Sequence, residues 1–494
     1  MPARRGLIMA ACLMAQFMAA VEGTIIATAM PTIVAELGGF HLFSWTFASY
    51  LLAQAVTTPI YGKLSDVYGR KRVFFVGAGL FIASSAACGF AWGMVPLIIF
   101  RTLQGLGAGG VQPIAWTIIG DIHRPEERAR AQAWLSTVWS SSAVGGPLLG
   151  AFIVEHLHWS LIFWINVPVG LATIAVLAAC LKEHRGARRR QVDYPGAALL
   201  MLATGALMLL IVQGDGLGAA GSAGCGAVGA LAFAGLVLHE RRVREPIVPF
   251  KLWRERILAI GNFGTFAIGA LMMANTAFLP TYIQGPMGRS PTISGLVIGV
   301  SSVSWTLAIV AAGRMMARGS YRRTGALGGI IVIAGTALLI ALTPERGPLW
   351  AALGACVASV GMGFANTTFL VAVQTSVGWG ERGTVTAANM FMRAIGQSLG
   401  AGVYGAILNR GVAARVPGAG GAVDRLMDPH TRASLAPAMV ARLGEAIAGA
   451  MHDIYLITGL LAVAVLALTL GIPAGASPTR PATDRRAAEP AAAD

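Results

Sequence analysis

Three side chains could carry charge or a proton where a bilayer tolerates it least. Glu22 lies in AAVEGTIIATAMP, residues 19–31, and is the only charged residue from Gly6 to Ala35. Arg101 and Tyr50 lie in two further apolar stretches. An ionised carboxylate in hydrocarbon costs on the order of several kcal/mol unless it is paired or neutral. Burial disfavours a carboxylate's charge and a nearby arginine stabilises it. A group whose exposure changes between two states can therefore bind a proton in one and release it in the other. Arginine cannot lose its charge and so serves as the fixed partner. With Pro31 taken as the outer end of the first span, Glu22 lies roughly 12 Å deep and Arg101 roughly 9 Å deep at 1.5 Å of rise per residue. Tyr50 is six residues into its own span. A static pair that only fixes helix register is the competing reading. Arg393 also lies within a span, but no acid is expected at its depth.

The elements that must hold these groups are membrane helices. The chain has 494 residues, 55% hydrophobic and 12% charged, about half the charge of a soluble domain. Stretches of about 20 apolar residues predict fourteen spans near 7–30, 44–63, 73–92, 95–119, 131–153, 161–181, 195–213, 221–239, 257–283, 291–313, 324–343, 348–371, 384–409 and 453–472. The first is kept rather than cleaved as a leader, since it runs on into many like it. With the N-terminus inside, 28 of the 37 Lys and Arg fall on the inner side, 7 on the outer side and 2 within spans. That bias is the positive-inside pattern. It accounts for the net charge of +15 without nucleic acid. The tryptophans Trp45, Trp92, Trp159, Trp164 and Trp350 fall near outer ends, as interfacial anchors do. Five cysteines in apolar stretches form no CxxC pair and indicate neither a disulfide framework nor a metal site.

A faint repeat organises the spans. Gly62-Lys-Leu-Ser-Asp-Val-Tyr-Gly-Arg-Lys-Arg72 closes span 2, and Gly313-Arg-Met-Met-Ala-Arg-Gly-Ser-Tyr-Arg-Arg323 closes span 10. The expected division is a six-helix bundle in 1–181, two inserted spans with their linkers in 182–256, and a second six-helix bundle in 257–472. An outer loop at 410–452 belongs to that second bundle, and 473–494 is a disordered inner tail. In the loop, Leu435, Met439, Leu443 and Ile447 share one helical face and predict an interfacial helix or flap.

These motifs resemble the major facilitator superfamily, and within it the drug:proton antiporters with fourteen spans. GKLSDVYGRKR is similar to the signature between spans 2 and 3, Arg101-Thr-Leu-Gln-Gly-Leu-Gly107 to the span 4 motif, and Gly146-Pro-Leu-Leu-Gly150 to the antiporter motif of span 5. The stretch from Glu22 to Pro31 is similar to the family's span 1. The chain departs from the pattern at Glu22, where relatives carry Asp, at Val67, at Ala151 and at Ser160. The resemblance implies spans 1, 2 and 4 around one cavity, so that Glu22 meets Arg101 or Tyr50 directly or through water. It implies an inner lock built from Gly62, Asp66, Gly69, Arg70, Lys71, Arg72 and Asp121. In the second copy of that turn Ala317 stands where Asp66 does, so the lock is one-sided. It further implies a kink at Gly146, Pro147 and Gly150 that favours exchange over leak.

Gln54, Trp139, Asn166, Asn275, Tyr282, Trp305 and Asn366 are candidates for an apolar substrate cavity with sparse polar groups; helix packing is an equal reading of each. The expected function is proton-coupled export of amphiphilic, often cationic drugs or toxic compounds by alternating access. The alternative is a dedicated exporter of one metabolite or lipid with the same coupling. The Gly-Pro motif argues against uptake by symport, and an enzyme is excluded by the lack of a nucleophile–base pair in the spans. No cofactor or metal is expected beyond the proton gradient. The expected partners are a small molecule, protons and the lipid of a bacterial cytoplasmic membrane, with a periplasmic or lipid partner for the outer loop left open.

Overall fold

Hydrocarbon offers the backbone no hydrogen-bond partner, so a spanning chain must satisfy its own N–H and C=O groups. The computed structural model does so with helices, and no strand occurs among the described residues, 2–123, 125–181, 193–243, 254–378, 381–427 and 429–473. The linkers at 182–192 and 244–253 and the tail at 474–494 lie outside them.

In the first group of helices, α1 (Pro2–Leu37) packs on α5 (Pro125–His156) and on α7 (Asn166–Cys180), which the single turn α6 (Leu161–Trp164) precedes. In the same group α4 (Met94–Ile122) lies between α2 (Phe43–Tyr68) and α3 (Arg70–Gly89). Next comes α8 (Tyr194–Glu240). A second group follows: α9 (Arg256–Met273), α10 (Leu279–Gln284), α11 (Pro291–Arg318), α12 (Tyr321–Ile340), α13 (Gly347–Thr375) and α14 (Arg382–Arg415). The short helices α15 (Gly420–Leu426) and α16 (Pro429–Arg432) lead to α17 (Pro437–Leu470). Here α13 packs on α11 and α12, α9 on α14, and α12 on α17. The two groups meet through α5 against α11 and α2 against α14.

The repeat is present in the helix lengths. α3 and α12 each have 20 residues, and α4 and α13 each have 29. Both pairs close on glycine. A Cβ on Gly77 would sit 3.2 Å from the carbonyl oxygen of Gly107, and one on Gly328 would sit 2.9 Å from that of Gly361. Small residues let membrane helices approach until backbones touch, where dispersion supplies the attraction that a hydrophobic effect cannot.

The expected fourteen spans appear as twelve helices long and apolar enough to cross a membrane, counted among the described residues. Residues 44–63 and 384–409 fall in α2 and α14, which are of spanning length, 26 and 34 residues, but more polar. The two inserted spans form one helix broken at Gly218, whose φ of 69° and ψ of 173° are not helical. Its two arms fold back on each other, and His239 Nε2 meets Asp193 Oδ1 at 2.6 Å across their far ends.

Three expectations about boundaries are corrected. Pro31 does not end the first span, since α1 runs to Leu37. An interior proline removes one backbone bond and crowds the preceding turn, at about 3 kcal/mol, and the helix continues past it with Ile33 and Val34 fully buried. The stretch at 433–450 is not a separate interfacial helix. Its residues from Pro437 on are the start of α17, with Leu443 and Ile447 in the core. The flap is instead α15 and α16. Asp424 accepts from the backbone N–H of Gly39 at 3.2 Å and of Phe40 at 2.9 Å. Arg432 donates to the carbonyl of Gly285 at 2.7 Å. Trp159 is also no interfacial anchor, being buried against Phe163, whereas Trp92 is 79% exposed.

If backbone contact between α3 and α4 holds the first bundle, Gly107→Ala must disrupt it, because a Cβ there would meet the backbone nitrogen of Phe81 at 2.5 Å. We expect a loss of about 1–3 kcal/mol, read as a lower midpoint when the monomer peak in detergent is followed against temperature. Gly79→Ala, where a Cβ meets nothing within 4 Å, should leave the midpoint in place.

Candidate functional site

Glu22 is fully buried on α1, and Arg101 on α4 is 1% exposed. The two form an ion pair through Arg101 Nη1 and Glu22 Oε1. The second carboxylate oxygen accepts from Asn166 Nδ2 on α7 at 2.6 Å. Arg101 Nη1 also donates to Gln104 Oε1 at 2.7 Å, and Arg101 Nε donates to the carbonyl of Thr46 at 3.3 Å. The guanidinium lies over the ring of Tyr50 on α2, 4.0 Å from its centroid, so the third expected partner meets the cation by its face. Ser85 Oγ on α3 accepts from Gln104 Nε2 and from Asn166 Nδ2, each at 3.0 Å, and donates to the carbonyl of Phe163 at 2.8 Å. Five helices thus converge on one carboxylate.

Glu22, Arg101 and Tyr50 come together as expected, in direct contact. The expected distance to the helix end is corrected, because Glu22 lies fifteen residues before the end of α1 rather than eight, about 22 Å at 1.5 Å per residue. Asn166 leaves the proposed substrate cavity and joins Glu22. Gln104, Ser85 and Thr46 were missed. Gln104 was detectable, since it lies three residues after Arg101 on the same face of α4. Nothing in the sequence marks Ser85 or Thr46.

Between α2 and α3, Gly69 makes the join with a φ of 92°, a conformation that favours glycine. The motif is therefore two helix ends and a one-residue turn, not a loop. Arg70 pairs with Asp121 of α4 and donates to the carbonyl of Thr117 at 3.3 Å. Asp66 is close enough for its charge to act on Arg70. Lys71 does not join the acids. It donates to the carbonyls of Ala178 and Leu181 at 2.7 and 2.9 Å, at the negative end of α7. Arg72 is exposed. A Cβ on Gly62 would meet nothing within 4 Å, so Gly62 serves no close approach.

The span 5 motif packs directly beneath the buried acid. A Cβ on Gly146 would meet Thr24 Oγ1, and one on Gly150 would lie 2.5 Å from the carbonyl of Ile25. Thr28 Oγ1 donates to the carbonyl of Pro147 at 3.1 Å. The same carbonyl is 2.8 Å from where a Cβ of Gly295 on α11 would stand, so the motif sits where α1, α5 and α11 cross. A Cβ on the neighbouring Gly145 would meet nothing within 4 Å.

The remaining cavity candidates do not gather around Glu22. Among the described residues Gln54, Trp139, Asn275, Trp305 and Asn366 make no hydrogen bond to its cluster. Tyr282 donates to the carbonyl of Leu342 at 3.3 Å, a packing role. Asn275 lies in a π-helical turn, Ala274–Phe278, between α9 and α10. Such turns are frequent at functional sites, and Pro280, which has no N–H, follows it.

The chain matches the Major Facilitator Superfamily over residues 12–401. It belongs to that superfamily. It is 32% identical over 471 residues to Multidrug resistance protein 3 of Bacillus subtilis, covering 92% of each chain. It is 32% identical over 409 residues to Multidrug transporter protein MdtP of the same organism, covering 82% of this chain and 76% of that one. In fold it is similar to a bacterial homologue of the human lysosomal transporter Spinster, with a TM-score of 0.68 at 14% identity, covering 95% and 97% of the two chains. A D-xylose–proton symporter follows with a TM-score of 0.63 at 13% identity, covering 95% and 98%. The protein is a membrane transporter with a major facilitator fold, not an enzyme.

Removing one member of a buried ion pair leaves the other uncompensated, at about 3–5 kcal/mol. Arg101→Ala should therefore lower thermal stability in detergent more than Glu22→Gln combined with Arg101→Ala. The sign of that double-mutant cycle is the measurement, and strict additivity would show that the pair carries no coupling.

Proposed function

We propose that the protein is a proton-coupled antiporter of the bacterial cytoplasmic membrane that exports amphiphilic, often cationic drugs or toxic compounds by alternating access. The observation that carries this reading is Glu22, a wholly buried carboxylate whose only cationic partner in its cluster is Arg101. With Glu22 ionised the pair is neutral. With Glu22 protonated the site holds a net positive charge on Arg101. A cation is then disfavoured by about 4 kcal/mol at 4 Å for an effective dielectric constant of 20. Proton and cationic substrate exclude each other, which is the logic of exchange. The membrane potential adds about 2.3 kcal/mol per charge at 100 mV.

The topology proposed with it has fourteen spans, α2 and α14 crossing along with the twelve apolar helices, and both termini inside. Residues 1–181 and 257–472 act as two six-helix bundles, with the arms of α8 inserted between them. Hydrogen bonds join these bundles at Thr28 with Gln284, Glu155 with Thr292, Ala48 with Ser398, His41 with Asn409, and Asp424 with Gly39 and Phe40, each at the proposed outer ends or at mid-depth. This supports a state closed on the proposed outer side, while Arg70–Asp121 ties α3 to α4 within the first bundle, the part of the inner lock that needs no contact with the second. The multidrug names of the two Bacillus relatives support a broad substrate range.

In everted vesicles an imposed pH gradient should collapse when a fluorescent cation is added, and Glu22→Gln should abolish that collapse while the protein remains inserted. Persistence of the collapse in Glu22→Gln would remove the proton role. Cells with the protein should tolerate several unrelated dyes better than cells without it. Protection against a single compound would favour a dedicated exporter.

A further inference from the structure

The two inner turns of the repeat treat their cations differently. In the first, Asp66 and Asp121 face Arg70, and Lys71 is spent on backbone carbonyls. In the second, Ala317 stands where Asp66 does. The penultimate residue of α4 is Asp121, while that of α13 is Gln374. Basic residues nonetheless remain: Arg314 matches Lys63, Arg323 matches Arg72, and Arg318 is added. Arg314, Arg318 and Arg323 have no ion-pair or hydrogen-bond partner among the described residues. They line one cavity of about 470 Å³ with Met315, Ser320 and Thr324.

A second observation says what reaches that cavity. Val300, Val303, Leu307 and Val310 are 42–65% exposed on α11. Their spacing of three and four residues makes a stripe along one face that runs into Arg314 and Arg318. An apolar stripe ending in arginines at the inner membrane face fits acyl chains capped by a phosphate. Basic pockets between helices on the cytoplasmic side hold anionic headgroups.

We propose that the α11–α12 turn binds the phosphate of an anionic phospholipid headgroup, which supplies the countercharge that the α2–α3 turn takes from its own Asp66 and Asp121. The N-terminal turn is closed by the protein, and the C-terminal turn is closed by the membrane.

The test titrates phosphatidylglycerol into phosphatidylcholine nanodiscs that hold the full chain and counts retained lipid by native mass spectrometry. Arg314→Gln with Arg318→Gln should weaken retention about fivefold per arginine, the equivalent of about 1 kcal/mol each near an anionic surface. The charge-matched pair Arg241→Gln with Arg242→Gln should not. Ala317→Asp, at an exposed position where the fold is not at risk, should also weaken retention by restoring an internal acid. Equal losses in the two arginine pairs, or full retention in Ala317→Asp, would overturn the proposal. Displacement of the lipid by millimolar inorganic phosphate would reassign the site to free phosphate and overturn the lipid.

Discussion

The ion pair between Glu22 and Arg101 sets the terms for the first bundle. Neither charge could be buried alone, and together they still leave lone pairs and N–H groups to satisfy. The surrounding helices meet those demands one by one: Asn166 from α7, Gln104 from α4 itself, Ser85 from α3, a carbonyl of α2 and the face of Tyr50. A carboxylate satisfied from so many directions cannot change protonation without disturbing several helices together. Under the proposed coupling, a proton arriving at one oxygen would be felt by every helix that contributes a partner.

Beneath this cluster the packing is close enough to transmit such a rearrangement. Thr24, Ile25 and Thr28 follow Glu22 on α1 and rest on Gly146, Pro147 and Gly150 of α5, and α5 rests on Gly295 of α11 in the other bundle. A shift of α1 has no slack to absorb it before it reaches the seam between the bundles. Backbone-on-backbone contact at Gly146, Gly150 and Gly295 keeps these crossings close.

How much of this was legible depended on what kind of signal each feature leaves. Apolar runs carried the helices, because a bilayer imposes length along the whole chain. Glu22, Arg101 and Tyr50 stood out as polar groups in apolar surroundings. Ser85 and Thr46 did not, because a hydroxyl or a backbone carbonyl in a helix looks the same whether or not it serves a distant charge. Pro31 misled for a related reason. It marks a missing donor, but whether a helix ends there is decided by what packs on the far side, where Ile33 and Val34 enter the core and Ala35 and Leu37 pack against it. Asn166 was noticed for its polarity and assigned to the wrong neighbour, since depth alone does not say which way a helix turns its face.

The flap formed by α15 and α16 holds the outer ends together through main-chain groups on the receiving side. Asp424 reads two amide hydrogens at Gly39 and Phe40, and Arg432 reads the carbonyl of Gly285. The surfaces it grips therefore carry no sequence requirement for being gripped, beyond glycines at 38 and 39, whose φ values of 70° and 80° present the amides. The clasp thus rests on one carboxylate and one guanidinium, carried on two short helices and closing on backbone whose own side chains take no part in the grip.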